Sequence, residues 1–283
     1  MLPKTIWCLW FQGWANAPDL VKACGASWRR HNPDWAIHCL SRDTLGAWLE
    51  PSPDLEAIFA KNLPMEALSD VLRIELLSRF GGVWVDSTVY CLRPLDGWIH
   101  HAMPRGFFAF NRPAPDRMLS TWFLAAERGS HVIDAWRQKT FAYWKERQER
   151  DHYFWFHSLF EQVYASDVEF RAIWDATPKL SADGPHCFAP YEAQLFKPVS
   201  DFDRLVVETA QTPVLKLTHK IDHGANDVGT TYRWLCDRVM SVPGAGDPAD
   251  TANERPRRAA AMTTRDIRLP SIDGDRRRSA LGE

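Results

Sequence analysis

The sequence predicts an α/β protein built on a mainly parallel sheet flanked by helices, in one domain over residues 1–240 followed by a disordered tail over 241–283. Three observations predict it. Short apolar runs alternate with segments of helical period over residues 6–50, at the spacing of βαβ units. Val83-Trp84-Val85 is an uninterrupted apolar run directly after a helical pattern, which suits a central strand buried on both faces. The chain has 283 residues, 45% hydrophobic and 25% charged, an ordinary globular composition with ample material for one large core.

Taken in order, Ile6-Trp7-Cys8-Leu9-Trp10-Phe11 reads as a first strand, ended by the turn pair Gln12-Gly13. Residues 18–30 carry Val21, Cys24 and Trp28 on one helical face, with Pro18 near the first turn, and Asn32-Pro33-Asp34 breaks that helix. A second strand spans 35–40, and Ser41 or Asp43 can cap a helix over 44–50. A short helix is expected between the prolines over 51–64. The following stretch is an amphipathic helix, with Ser69 able to cap it and Asp70 in its first turn, where a carboxylate suits the positive end of the dipole. Gly81 and Gly82 stop it, and the strand 83–85 delivers Asp86 at its carboxyl end, where open α/β sheets put their ligand crevice.

Residues 89–92 continue extended, and 106–111 read as a strand. Segments 119–126 and 132–147 read as helices, as does the very aromatic segment 153–164, with 170–174 packed close by. Residues 213–218 read as a late strand and 232–239 as the last helix. Beyond residue 241 Pro, Gly, Ala, Asp and Arg dominate, which cannot bury a core. Arg255, Arg257, Arg258 and the arginines of 276–278 are nearly cancelled by intervening acids, so an inert solvated tail is expected rather than a membrane-binding one.

Composition excludes several function classes. A net charge of −2 gives no electrostatic case for nucleic acid. Six cysteines without a Cys-x-x-Cys pair argue against a zinc knuckle and fit buried, reduced thiols of a cytoplasmic protein. No signal peptide and no run of ~18 apolar residues is evident, so any membrane contact is expected to be peripheral, at the inner face. The chain has no Gly-x-Ser-x-Gly elbow, P-loop or Gly-x-Gly-x-x-Gly. Fourteen tryptophans are unusual; most must be core, although aromatic rings also stack on sugars and bases.

The residues that can carry chemistry lie around the 67–88 stretch. A carboxylate at a strand end, as Asp86 is placed, holds sugar hydroxyls or a divalent cation, or simply caps a turn. Thr88, two residues on, offers only a neutral hydroxyl to a metal that prefers clustered oxygens. Asp70 and Arg73 are three apart on one helical face, either aimed together at a ligand or paired with each other. His219, just after the late strand, can bind metal or phosphate or be a satisfied structural histidine, and the same choice holds for His157.

Leu2-Pro3-Lys4-Thr5-Ile6-Trp7, Trp10-Phe11-Gln12-Gly13, Ser69-Asp70-Val71-Leu72-Arg73 and Gly81-Gly82-Val83-Trp84-Val85-Asp86 together resemble the capsular polysaccharide synthesis glycosyltransferases. These look related to glycosyltransferase family 32, with its DxD sugar-binding region. Ser27-Trp28-Arg29 with Asn32-Pro33, Tyr153-Phe154-Trp155-Phe156-His157 and Leu217-Thr218-His219-Lys220 are similar too, so the resemblance spans residues 2–234. It implies a GT-A fold with a Rossmann-like sheet, a nucleotide-sugar donor, usually a UDP-sugar, and transfer with retention to a glycan or lipid-linked glycan acceptor of a surface polysaccharide. By the same resemblance Asp70, Arg73 and Asp86 are catalytic; Trp10 stacks on the donor base, and Asp70 and Arg73 hold the donor sugar and phosphate. Asp86 is the first acid of the DxD motif, Thr88 replaces the second, and Lys220 neutralises the diphosphate. Mn2+ or Mg2+ would be held by Asp86 with His219, and Trp155 and His157 would contact the acceptor. The different-class alternative is a catalytically silent nucleotide-sugar or glycan-binding protein on the same scaffold, motivated by Thr88.

Overall fold

In the computed structural model, which describes residues 1–50, 52–220 and 227–240, the first apolar run becomes β1 (Thr5–Leu9). Helix α1 (Asp19–His31) and β2 (Ala36–Leu40) follow, then α2 (Pro53–Phe59), α3 (Met65–Phe80) and β3 (Gly82–Val85). Next come β4 (Val89–Cys91), α4 (Ile99–Ala102), β5 (Phe107–Ala114) and β6 (Arg117–Ala126). The helices α5 (His131–Glu146), α6 (Trp155–Ser166), α7 (Val168–Ala176), α8 (Tyr191–Gln194) and α9 (Asp201–Glu208) precede β7 (Val214–Lys216) and α10 (Thr231–Met240).

The main sheet has the order β2-β1-β3-β6-β5. β1 lies parallel to both β2 and β3, with Trp7 opposite His38 and Trp84. β6 runs antiparallel to both β3 and β5, so four of the five strands point the same way and only β6 opposes them. This is the mixed α/β, mainly parallel sheet that the alternation of elements predicts. A separate antiparallel pair, β4 with β7, starts where β3 leaves off, with Val89 opposite Lys216.

Alternation along the strands sorts the core into two layers. Trp7, Leu9 and Trp84 face α2, α3, α5, α6 and α7. Ile6, Cys8, Val83 and Val85 face α1 and α4, with Trp28 of α1 donating from its indole nitrogen to the Val89 carbonyl at 2.9 Å. The far face of α1 packs against β4, β7, α9 and α10 in a third cluster around Leu20, Tyr90, Leu215 and Leu235. Eleven of the fourteen tryptophans are buried, as expected of a core role, leaving Trp10, Trp48 and Trp234 partly open. All six cysteines are free.

Four expectations are corrected. The helix before Gly81 starts at Met65, with Pro64 as its cap, so Ser69 and Asp70 lie inside it rather than at its start. A proline's fixed φ suits a helix boundary better than a serine five residues further on. That helix is also buried nearly all round, Arg73 and Glu75 included, instead of showing one apolar face. Residues 119–126 form β6, not a helix: a short apolar run fits either state, and edge-to-edge pairing with β3 and β5 decides it. The expected helix over 44–50 is only a 3-10 turn, Leu45–Ala47. The tail over 241–283 lies outside the described residues.

Candidate active site

The site is built by the unit of α3 and β3, at the end of the strand opposite the turn that joins them. Gly81 adopts φ 67° and ψ −159°, a conformation open essentially to glycine alone, and a Cβ there would meet the Arg128 backbone nitrogen at 2.7 Å. Gly82, at φ +96°, would drive a Cβ to 2.6 Å from the Thr5 carbonyl oxygen. The two glycines therefore let the chain reverse in direct contact with the sheet, and β3 then carries Asp86 out at its carboxyl end. There the Asp86 amide donates to the Trp122 carbonyl at 2.8 Å, and the Val89 amide closes a turn back to the Asp86 carbonyl at 2.9 Å.

Arg73 gathers the acids. Its Nη2 lies 3.2 Å from Asp70 Oδ1 and 3.3 Å from Asp86 Oδ1. Its other nitrogens donate to the Thr121 and Ser69 carbonyls, and the guanidinium sits 5.2 Å from the centre of the Trp84 ring. Trp84 also donates from its indole nitrogen to Asp86 Oδ1 at 3.1 Å. Burial pushes Asp70 up to about 7, only partly offset by Arg73, with the Asp86 charge adding to the rise. Asp86 goes the other way: burial raises it, but Arg73, Lys216 and the Trp84 hydrogen bond outweigh burial and hold it below the usual carboxylate range.

Lys216 is the participant that sequence reasoning missed. Its Nζ donates to Thr88 Oγ1 at 2.6 Å and to the Leu217 carbonyl at 3.2 Å, and stands 3.9 Å from Asp86 Oδ2. The signal available was a lone charged residue in the otherwise apolar Val214-Leu215-Lys216-Leu217, but nothing in the sequence says that β7 pairs with β4 and so meets Thr88. Lys220, expected at the diphosphate, instead has its Nζ 3.5 Å from Glu66 Oε1 at an exposed position.

Trp10 follows β1, which runs parallel to β3, so it reaches the same edge of the sheet as Asp86. Its ring meets His219 edge-on at 4.9 Å, which brings those two expected site residues together. Its indole nitrogen is buried with no hydrogen-bond partner among the described residues. Burial, then the charges of Lys220 and Lys216, lower His219 and keep it neutral near pH 7.

On the other side His157 Nε2 is 3.5 Å from Thr121 Oγ1, the residue whose carbonyl holds Arg73. Burial and the Arg73 and Arg117 charges depress His157 to about 3, so its ring is neutral, and Nδ1 is buried without a partner among the described residues. Trp155, expected beside it at the acceptor, is 1% exposed and packed against Tyr143 and Trp144, so it offers no face to a ligand. The segment instead presents Tyr153, 58% exposed, and Phe154, covered by Arg117 with its guanidinium carbon 3.9 Å from the ring centre.

Mn2+ and Mg2+ need several oxygen donors on one side. Here the donors near Thr88 are a single carboxylate, Asp86, already shared by Arg73 and Trp84, and a hydroxyl already bonded to an ammonium. No group of three or more His, Cys, Asp or Glu among the described residues is arranged to hold a metal ion. The residues present do not fit a resident divalent cation.

A family model described as capsular polysaccharide synthesis protein matches residues 1–234. The chain is 30% identical to the O-glycosyltransferase braB of Annulohypoxylon truncatum over 152 residues, 47% of this chain and 36% of that one. It is 28% identical to the glycosyltransferase afumC of Aspergillus fumigatus over 161 residues, 48% of this chain and 39% of that one. The chain thus spans well under half the length of these curated relatives. The solved apo-form of the glycosyltransferase GlyE from Streptococcus pneumoniae TIGR4 aligns with a TM-score of 0.49 at 11% identity, over 89% of this chain and 63% of that one. No helix among the described residues is long and apolar enough to cross a membrane.

Proposed function

The chain belongs to the capsular polysaccharide synthesis family, and from that membership and its site we propose that it is a retaining glycosyltransferase. In this reading it moves a sugar from a nucleotide-sugar donor, in the first instance a UDP-sugar, to a glycan acceptor in surface polysaccharide synthesis. The observation that carries the reading is Arg73 bonded to both Asp70 and Asp86 at the carboxyl edge of the central strand. Two carboxylates locked by one guanidinium are fixed acceptors for donor-sugar hydroxyls, and fixed polar groups cost no reorganisation as charge develops. Trp10, beside His219, is the ring that would stack on the base, and the neutral His157 beside Thr121 offers a hydrogen-bonding ring to the acceptor hydroxyl. Retention without a covalent intermediate needs attack from the face that the diphosphate leaves, so catalysis here rests on placement and charge rather than on a nucleophilic side chain.

The test is nucleotide release from a panel of UDP- and GDP-sugars, with and without a glycan acceptor. The expected result is release from at least one donor, lost in Asp86→Ala. Binding of a donor without any release, or wild-type release from Asp86→Ala, would overturn the transferase reading, the former in favour of a silent binding protein.

A further inference from the structure

We propose that the ammonium of Lys216 is the built-in cation that balances the leaving diphosphate, standing in place of a divalent metal beside Thr88. The proposal rests on the transferase reading above and deepens it.

Three features of the site carry it. The first is donor arithmetic. An ammonium has three N–H donors. Among the described residues Lys216 commits two, to Thr88 Oγ1 at 2.6 Å and to the Leu217 carbonyl at 3.2 Å. Its nearest anion, Asp86 Oδ2, is at 3.9 Å, an ion-pair distance rather than a hydrogen bond, which leaves one donor for a ligand oxygen on the Asp86 side.

The second feature is placement. Only 19% of the lysine side chain is exposed. Its strand is tied by β4 on one edge, by its own amide to the Pro185 carbonyl at 2.8 Å, and by the Tyr191 hydroxyl to its carbonyl at 2.8 Å. A lysine held this way is preorganised, which is what a charge needs in order to act on a transition state.

The third feature is the residue at position 88. A carboxylate there would pair with Lys216 and cancel its charge. A threonine hydroxyl accepts one hydrogen bond and, being neutral, adds no second counter-charge to that of Asp86. A divalent ion at Asp86 would also face the like charges of Lys216 and Arg73 at close range, which is unfavourable in a partly buried site.

In the transfer step the bond from the anomeric carbon to the diphosphate oxygen breaks, with its electron pair leaving on that oxygen. The acceptor oxygen bonds to the same carbon, and its proton passes to the departing diphosphate. Lys216 keeps its protons throughout and stabilises the charge that collects on the leaving group.

Calorimetric titration with UDP and with GDP, in EDTA and in Mn2+, tests the proposal on the full chain, alongside the spin-resonance signal of Mn2+ added to the protein. Wild type is expected to bind one diphosphate equally in EDTA and Mn2+, and to leave the free Mn2+ signal unchanged. Lys216→Met is expected to weaken that binding roughly 30-fold, the effect of losing one partner of a desolvated charge pair, while Lys216→Arg retains most of it. Nucleotide binding that requires Mn2+, depletion of the free Mn2+ signal by the wild type, or full binding by Lys216→Met would overturn the lysine proposal and leave the transferase reading standing. Binding of neither UDP nor GDP under any condition would overturn both. The wild-type arms decide the matter even where a Lys216 variant fails to fold.

Discussion

Arg73 holds two carboxylates, two backbone carbonyls and the Trp84 face at once, and no other side chain can do this. Lysine lacks the planar fork that reaches Asp70 and Asp86 from one nitrogen while its neighbours serve Thr121 and Ser69. Arg73→Ala leaves two partly buried acids unpaired, so unfolding stability is expected to drop by about 3 kcal/mol, measured by denaturant titration at pH 7. Arg73→Lys is expected to restore part of the stability but little turnover. Asp70 carries a pH prediction. Its carboxyl is raised from 3.8 to about 7 in the fold, so the native state keeps a proton that the unfolded chain has released. Stability is therefore expected to fall as pH rises from about 4 to about 7, and Asp70→Asn is expected to flatten that slope in unfolding curves at pH 5 and pH 8. If the ionised Asp70 is the form that binds the donor, kcat/KM rises through the same interval in the wild type, and Asp70→Asn removes that rise along with most of the rate. Asp86 runs oppositely: its charged form is favoured by the fold, and the stability this supplies is lost as pH falls through its depressed value.

The element on which the site depends is the unit α3, Gly81-Gly82, β3. A helix buried nearly all round is held firmly by its neighbours, and two glycines in positive φ fix how the chain leaves it for the strand. Gly81→Ala meets both an unfavourable backbone region and a contact 2.7 Å from a backbone nitrogen, which has no flexible end to yield. A loss of roughly 2–4 kcal/mol is expected, read as a lowered melting temperature. Gly97, where a Cβ meets nothing within 4 Å, is the matched control, and Gly97→Ala is expected to change the melting temperature little. β4 and β7 form the second element of the site. Breaking their register would move Lys216 away from both Thr88 and Asp86, so their pairing is what joins a late strand to a motif more than a hundred residues earlier.

Across the whole molecule, one charge ties the helical layer together. Glu75 is fully buried on α3 and bonds Arg79 of the same helix at 2.6 Å and Arg137 of α5 at 2.5 Å. Glu75→Ala removes the shared partner of two arginines, and a destabilisation of about 3 kcal/mol is expected in thermal or denaturant unfolding. The effect is expected to exceed the sum of Arg79→Ala and Arg137→Ala only if the two arginines also repel each other in its absence, a coupling that a double-mutant cycle measures.

The alternation of elements, the central strand and the acid at its end were legible in the sequence, because period, capping and apolar runs are local properties of a chain. That Asp70 and Arg73 share a helical face and that Asp86 ends a strand were legible too, from a three-residue spacing and an apolar run; that Arg73 reaches both acids was not. The misreadings share a cause. Residues 119–126 hold no local preference strong enough to choose strand over helix, and neighbours on both edges choose it. Trp155 stands next to His157 in the sequence, yet one turns into the core and the other toward Thr121, because packing against Tyr143 and Trp144 sets the rotation of α6. Lys216 and Lys220 differ by four residues in chain position, and only the β4–β7 register makes the first a partner of Thr88 and leaves the second at the surface. The sequence by itself determined the parallel β1, β2 and β3, the carboxyl edge they share and Asp86 on that edge, all set by short-range patterns. The tertiary structure alone decided which lysine Asp86 faces, because that depends on a pairing between distant strands that no local pattern encodes.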